Sequence, residues 1–249
     1  MIGMTSKKPQ QFTLDILVSP APSLSNFVLS KKDKKTNLQL MELLNTLVHY
    51  WENPSNTNPE LEIIYIWGPT GSGKTHLLKA LSQCAQENEV STCYLEPGSS
   101  LWSYLDYGNM LVHKVYLIDN VDHLKESEQK SFFRLLIEAK EDEDILIITT
   151  GSQSVSGLSL RSDISSRLSS GINFGLHTLN DDEKVKAIND VSAARGITLP
   201  ADIAPWLIEN FHRDLPSLIS LIEALDHYSL QTKKSITLAL VKDLLKNKI

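Results

Sequence analysis

The stretch EIIYIWGPTGSGKTHLLKA, residues 62–80, decides the fold of this chain. Its opening residues are almost all apolar, which is typical of a strand buried on both faces of a parallel sheet. GPTGSGKT (Gly68 to Thr75) fits the pattern G-x-x-x-x-G-K-[ST], and a helical pattern from Lys74 to Ala85 follows. A strand, a glycine-rich loop and a helix in this order predict a phosphate-binding loop.

Each part of this loop suits a phosphate ligand. The glycines let the backbone turn its N–H groups inward, and the helix N-terminus adds the positive end of its dipole. Lys74 is expected to reach the phosphates of a bound nucleotide, and Thr75 to offer its hydroxyl to Mg²⁺. A glycine-rich turn that binds nothing is the alternative, and the strand before the loop and the helix after it argue against that.

A second metal ligand is expected at Asp119, which ends the apolar strand KVYLID (residues 114–119). The next residue is Asn120, at a position where many P-loop ATPases carry a carboxylate that orients the attacking water. An amide cannot accept a proton at neutral pH, so slow unaided hydrolysis is predicted. The alternative is that another carboxylate, such as Asp122, orients the attacking water instead.

Strands and helices alternate along the middle of the chain. A helix is predicted over 36–51, and strands are predicted at 62–67, 91–96, 114–119, 145–150 and 172–176. This order predicts an α/β fold with a parallel sheet covered by helices on both faces. Beyond about residue 179 the pattern is helical throughout, and Asn180 with Glu183 forms an approximate capping box. We therefore predict a tail over 1–24, an α/β domain over 25–178 and a helical domain over 179–249.

Composition narrows the function classes. The 24 Lys and Arg residues against 30 Asp and Glu residues give a net charge of −6. That balance argues against a self-sufficient binder of duplex DNA. The two cysteines argue against a disulfide framework and against a cysteine-based zinc site. No signal peptide is visible and the apolar runs are too short to span a bilayer, so a cytoplasmic location without membrane partners is expected.

Two arginines outside the loop are further candidates for phosphate contact. Arg167 lies in DISSRL (residues 163–168), and Arg213 lies in HRDLPSL (residues 212–218). Spacing alone leaves two interpretations open for each, a surface residue or a sensor of bound phosphate.

The ordered set of motifs resembles the DnaA-related AAA+ family, and most closely its short Hda-like members. The matching stretches are NFVLSKKDKKTN, GPTGSGKTHLL, YLIDNVDHL, DISSRL and HRDLPSLISLIEALDHYS. The resemblance covers residues 11 to 248 approximately, and it implies an AAA+ α/β domain followed by a small helical lid. It also implies a protein that binds ADP, docks on the DNA sliding clamp and promotes hydrolysis of the ATP carried by DnaA.

The resemblance assigns roles to particular residues. Arg167 matches the arginine finger that acts on nucleotide held by a neighbouring subunit, and Arg213 matches the arginine of the lid that senses nucleotide. Phe27 and Val28 match the segment near the adenine. The residues expected to bind ADP or ATP are Gly68, Pro69, Thr70, Gly71, Ser72, Gly73, Lys74, Thr75, His76, Asp119, Arg213, Phe27 and Val28, with Thr75 and Asp119 on Mg²⁺.

The chain also departs from the initiator itself. Asn120 agrees with Hda-like proteins, whereas DnaA carries an acid there. Ser152 stands at the sensor position after the fourth strand, where DnaA and many Hda-like proteins have Asp. The pattern of the DnaA helix-turn-helix domain is not found, so no sequence-specific DNA binding is expected, and a homo-oligomer is left open. The alternative function is an autonomous DnaA-like or helicase-loader-like AAA+ ATPase.

The segment QFTLDI near the start has two interpretations. By pattern alone it is a short strand at the sheet edge or a peptide ligand of another protein. The resemblance favours the second, because Hda-like proteins carry a clamp-binding peptide of the form Q-x-x-L-x-L in this place, which this segment fits with Ile in place of the final Leu. The segment consists of Gln11, Phe12, Thr13, Leu14, Asp15 and Ile16, and its expected partner is the sliding clamp, the beta subunit of DNA polymerase III.

Overall fold

A computed structural model describes residues 21–54, 61–106, 113–142, 144–210, 215–232 and 235–246. The chain divides into two compact units, and the division falls between Glu183 and Lys184. The boundary predicted after residue 178 lies in the connection that follows the last strand. None of the helices in these ranges is long and apolar enough to cross a membrane.

The first unit is built on a five-stranded sheet in which every described pairing is parallel. The strands are β1 Ile63–Trp67, β2 Thr92–Leu95, β3 Val115–Ile118, β4 Leu146–Gly151 and β5 Ile172–Gly175. Their order across the sheet is β2-β3-β4-β1-β5, so β1 lies between β4 and β5. The predicted parallel α/β arrangement is confirmed.

Helices cover the sheet and make up the second unit. In the described ranges they are α1 Lys34–Glu52, α2 Lys74–Glu87, α3 Leu101–Asp106, α4 Glu126–Glu141, α5 Ser162–Ser170, α6 Asp181–Ala194, α7 Ile203–Asn210, α8 Leu215–Thr232 and α9 Leu238–Lys246. Helix α1 extends slightly beyond both ends of the predicted range 36–51.

The pleat of β1 sends alternate side chains into two separate hydrophobic cores. Ile64 and Ile66 pack with buried leucines of α1 and α2 on one face. Ile63 and Tyr65 pack with apolar residues of α3, α4 and α5 on the other. Because both faces of β1 are covered, the strand is apolar along its whole length rather than alternating.

The second unit has a helical core of its own. Buried aliphatic residues from α6, α7, α8 and α9 form it, among them Ile188, Leu207, Leu225 and Val241. At the start of α6 the predicted capping box is confirmed. The Glu183 N–H donates to Asn180 Oδ1 at 2.8 Å, and the Asn180 N–H donates to Glu183 Oε2 at 2.9 Å.

The packing of α1 can be tested with two identical substitutions. Leu40 is fully buried, whereas Leu38 on the same helix is 50% exposed. We expect Leu40→Ala to lower the free energy of unfolding by about 2–5 kcal/mol, because the lost side chain leaves a cavity. Leu38→Ala should change it by less than about 0.5 kcal/mol. Urea unfolding followed by circular dichroism measures both, and equal losses would contradict the orientation of α1.

Candidate nucleotide-binding site

The predicted site residues converge where strands β1, β3 and β4 end. The glycine-rich loop joins β1 to α2, and Asp119 directly follows β3. Thr150 is the second-last residue of β4. In parallel sheets the carboxyl ends of neighbouring strands share one edge, and ligands bind in the crevice outside that edge. Sequence spacing predicted the first two of these groups.

The loop has the backbone shape that a phosphate cradle requires. Gly71 and Gly73 have φ values of +80° and +96°, a region that side-chain-bearing residues rarely adopt. Lys74 is 7% exposed, and its Nζ donates to the carbonyl oxygens of Gly68 at 2.7 Å and Pro69 at 3.1 Å. Ser72 Oγ is buried and has no hydrogen-bond partner among the described residues. The loop therefore contains a buried hydroxyl that a bound group can satisfy.

Asp119 is 2% exposed and accepts hydrogen bonds on both carboxylate oxygens. Thr75 Oγ1 donates to Oδ2 at 2.6 Å, and the Tyr94 hydroxyl donates to the same oxygen at 3.2 Å. The Thr150 hydroxyl donates to Oδ1. A buried carboxylate without such partners would be costly, so these hydroxyls stabilise Asp119 in place.

The charges in the site act on one another. Burial lowers the pKa of the Lys74 ammonium, and the negative charges of Asp119 and Asp122 oppose that shift. Burial also raises the pKa of Tyr94, and the neighbouring Asp119 carboxylate raises it further. Tyr94 therefore stays protonated at neutral pH and acts as a hydrogen-bond donor to Asp119.

Asn120 adopts a left-handed backbone conformation, with φ 53° and ψ 55°. Asn is one of the few residues other than glycine that tolerates this conformation. Its N–H donates to Thr150 Oγ1 at 3.0 Å, which links the end of β3 to the end of β4. Backbone geometry thus gives a reason for Asn at this position that the sequence did not reveal.

A segment before α1 lies against the loop. The ring of Phe27 is so close to Gly73 that a Cβ on this glycine would lie 2.4 Å from Phe27 Cε2. The Phe27 and His76 rings are 5.6 Å apart between centroids, and His76 Nε2 is 3.0 Å from the carbonyl oxygen of Ser23. Burial lowers the pKa of His76. Val28, also predicted near the base, is half-buried beside Phe27 in the same segment.

Arg167 lies on α5, away from the glycine-rich loop in sequence, and contacts α4. Its guanidinium carbon is 5.6 Å from the centroid of the Phe133 ring, and its Nη1 donates to the carbonyl oxygen of Leu136 at 3.5 Å. Arg161 stacks on the same ring at 5.2 Å but also forms a bidentate pair with Asp163. No carboxylate in the described ranges pairs with Arg167.

Two sets of predicted site residues are not tested by this geometry. Arg213 and the segment 11–16 lie outside the described residues.

Ser152 follows β4 and is half-buried, whereas the residue of β4 that contacts Asp119 is Thr150. Thr150 and Tyr94 are the two contacts of Asp119 that the sequence analysis missed. A hydroxyl at the carboxyl end of a strand was the available signal for Thr150.

The oxygen atoms of Thr75 and Asp119 suit a metal site that is completed by a bound nucleotide. In the part of the chain that the structure describes, no group of three His, Cys, Asp or Glu side chains could hold a metal alone. A cation at Thr75 and Asp119 would take further ligands from phosphate oxygens and water, which is how Mg²⁺ commonly binds. The two residues therefore fit Mg²⁺ held jointly with a nucleotide.

Comparison with known proteins identifies the family. A family model described as "Hda, lid domain" matches residues 181–245. An uncharacterized protein of Haemophilus influenzae is 30% identical over 185 residues, which are 73% of this chain and 80% of that protein. The chain belongs to the Hda-like, DnaA-related AAA+ family.

Solved structures agree with the fold of this Hda-like chain. The replication initiator DnaA bound to AMPPCP and single-stranded DNA has a TM-score of 0.63 at 18% identity, covering 85% of this chain and 68% of that one. Domain III of Thermotoga maritima DnaA has a TM-score of 0.63 at 20% identity, covering 92% and 98%. The predicted fold class, an AAA+ parallel sheet followed by a helical lid domain, is confirmed.

The close approach of Phe27 to the loop of this Hda-like protein can be tested with paired glycine substitutions. Gly71→Ala and Gly73→Ala each place a side chain at positive φ, which costs about 1–2 kcal/mol. A Cβ at Gly71 meets nothing within 4 Å, whereas one at Gly73 collides with Phe27. We expect Gly73→Ala to be destabilising by at least about 1 kcal/mol more than Gly71→Ala in urea unfolding without nucleotide. Equal losses would show that Phe27 does not lie there.

Proposed function

We propose that this chain binds ADP or ATP with Mg²⁺ and regulates replication initiation by stimulating hydrolysis of the ATP bound to DnaA. The proposal rests on three features that occur together in one AAA+ unit. A complete phosphate-binding loop stands beside an amide, Asn120, where a catalytic carboxylate is usual, and Arg167 has no carboxylate partner among the described residues. Such a unit is equipped to hold a nucleotide and to act on another.

In this proposal the loop and its neighbours hold the nucleotide. The N–H groups of Gly71 to Thr75 and the start of α2 receive the phosphates, and Lys74 turns from the loop carbonyls to them. Mg²⁺ bound to Thr75 and Asp119 would neutralise part of the phosphate charge. Phe27 and Val28 line the base, and Arg213 senses the phosphates from the lid.

Weak hydrolysis by the chain itself follows from Asn120. Its side-chain amide can accept a hydrogen bond but cannot take a proton from the attacking water at neutral pH. It directly follows Asp119, at the position where many P-loop ATPases carry the carboxylate that orients water. The site is therefore better suited to retain a nucleotide than to turn it over.

Arg167 acts in trans in the proposed mechanism. When DnaA hydrolyses its ATP, negative charge develops on the phosphoryl oxygens, and a guanidinium placed there stabilises the transition state. Arg167 is already held by the Phe133 ring and the Leu136 carbonyl, contacts that orient it without neutralising it. Arg161, by contrast, is paired with Asp163. Arg167 is thus the better candidate of the two.

The segment Gln11 to Ile16 supplies the second partner in the proposal. We infer that it binds the sliding clamp as an extended peptide, with Leu14 and Ile16 in an apolar pocket and Gln11 making directed hydrogen bonds. Ordering such a peptide costs entropy, so moderate affinity is expected.

One observation favours the alternative, an autonomous AAA+ ATPase. The side chain of Asp122 is 13% exposed, and its Oδ1 is buried without a hydrogen-bond partner in the described residues. Its charge also acts on Lys74. If Asp122 orients water in place of Asn120, the purified protein will hydrolyse ATP alone, and Asp122→Asn will abolish that activity.

The proposed arginine finger predicts a large loss on substitution. Arg167→Ala should lower clamp-dependent hydrolysis of DnaA-bound ATP by about 10³–10⁵-fold if the finger acts as in other NTPases. The measurement is single-turnover hydrolysis of radiolabelled ATP on DnaA, with this protein and with or without DNA-loaded clamp.

Arg161→Ala is the matched control, because it removes a second guanidinium from the same Phe133 ring. It should leave most of the stimulation. Equal losses for the two variants would indicate that the Phe133 surface, rather than the Arg167 charge, is required. Normal stimulation by Arg167→Ala would reject the finger.

The proposed clamp peptide predicts a separable loss. Gln11→Ala combined with Leu14→Ala should weaken clamp binding by about 100-fold or more, since each removes an anchor residue of a short motif. Binding of ADP should be unchanged, because the substitutions do not touch the nucleotide loop. Surface plasmon resonance on immobilised clamp measures the first effect and fluorescent ADP the second. Unchanged clamp binding would reject the peptide-ligand interpretation and favour the other one, in which residues 11–16 form a strand.

A further inference from the structure

A buried carboxylate outside the phosphate site binds the segment that precedes α1. Glu183 is 7% exposed, and its Oε1 accepts the Lys31 N–H at 2.6 Å. Its Oε2 accepts the Asn180 N–H at 2.9 Å, and the Ser30 hydroxyl lies 3.3 Å from both oxygens. These contacts lie inside the first unit, which ends at Glu183. Helix capping explains only the contact with Asn180.

The same segment touches the nucleotide loop at its other end. We define it as the 23–31 segment. Near its start the Ser23 carbonyl meets His76, and in its middle Phe27 lies on Gly73. Near its end Asn37, which is 2% exposed, donates through Nδ2 to the Ser30 carbonyl at 2.9 Å. The segment is therefore held at one end by Glu183 and Asn37 and rests on the loop at the other.

We propose that Glu183 is a positioning residue for the nucleotide, which fixes the 23–31 segment so that Phe27 stays against the phosphate-binding loop. This inference rests on the proposed nucleotide binding and adds a determinant of how long the nucleotide stays bound. Neither the glycine-rich loop nor the Asp119 cluster includes Glu183. Its effect passes through Lys31 and Ser30 to Phe27.

The contacts of Glu183 require a carboxylate. Both oxygens accept from backbone N–H groups, so a glutamine in its place would turn an N–H₂ donor towards one of those N–H groups. A buried N–H would then lose its partner, which is costly. Glu183→Gln keeps the size of the side chain and changes only this bonding capacity.

Glu128 provides an unusually close control. It is 6% exposed, and its carboxylate also accepts two backbone N–H groups, from Gly98 at 2.7 Å and Lys125 at 2.7 Å. It occupies the third position of α4 and accepts the N–H of the N-cap residue Lys125, which is the same half of a capping box that Glu183 supplies in α6. Neither of these two hydrogen bonds reaches the 23–31 segment, so Glu128→Gln should reproduce the general loss of stability without the specific effect.

The experiment measures release of mant-ADP from the full-length protein in the presence of Mg²⁺. We expect Glu183→Gln to accelerate dissociation by roughly tenfold, the change that loss of one charge-assisted hydrogen bond gives. Glu128→Gln should change the rate by less than about twofold. Hydrogen exchange of the amides in the 23–31 segment should rise in the first variant and not in the second. Ser30→Ala, which removes one hydroxyl and leaves the carboxylate, should give a smaller acceleration in the same direction.

Each remaining outcome decides between proposals. Equal dissociation rates for Glu183→Gln and Glu128→Gln would overturn the positioning role while leaving nucleotide binding intact. Faster exchange in the segment with an unchanged dissociation rate would overturn it as well. If Glu183→Gln does not fold, an unchanged rate in Ser30→Ala would overturn it. Wild-type protein that binds no mant-ADP would contradict the proposed function itself.

Discussion

Parallel pairing of β1 with both β4 and β5 is the constraint on which the remaining structure depends. Ile66 stands opposite Thr150 of β4 and Phe174 of β5, so three strands end at one level of the sheet. With β3 paired to β4 in the same direction, Asp119 leaves the sheet at that edge too. The glycine-rich loop, the carboxylate and the hydroxyl that bonds it are close in space because the strands run in one direction. Helices on both faces then make this sheet the centre of the fold.

At that edge Asp119 is a buried carboxylate held by hydroxyl groups, since no ion pair with it is found among the described residues. Hydroxyls of Thr75, Tyr94 and Thr150 donate to it, which offsets the loss of hydration. Thr75 lies in the first turn of α2, so the carboxylate also links the phosphate-binding loop to the end of β3. Asn120 follows in a backbone conformation that few residues accept. In the proposed function this site retains its nucleotide, because the Asn120 amide cannot take a proton from an attacking water.

In the proposed function, holding a nucleotide and acting on a partner use different parts of one unit. The nucleotide contacts come from the β1–α2 loop, the end of β3 and the segment before α1. Arg167 comes from α5, where Phe133 of α4 supports its guanidinium. Helices α4 and α5, which carry and support the proposed finger, share a hydrophobic core with β1, the strand that leads into the loop. Because the two proposed functions use different side chains, a substitution of one set should leave the other function intact.

The sequence by itself determined the elements whose signal is local. The run of apolar residues predicted β1, and the spacing from Gly68 to Thr75 predicted the phosphate-binding loop. The Asn180–Glu183 pair predicted the start of α6. In each case the interacting groups are neighbours in the chain. Only the tertiary structure decided that Thr150 and Tyr94 hold Asp119. It also decided that Glu183 binds the N–H of Lys31, which is 152 positions away. The contacts of Asp119 depend on the order of the strands in the sheet, and the Glu183 contact depends on the path of the 23–31 segment, which has no periodic pattern. Neither can be predicted from the spacing of residues along the chain.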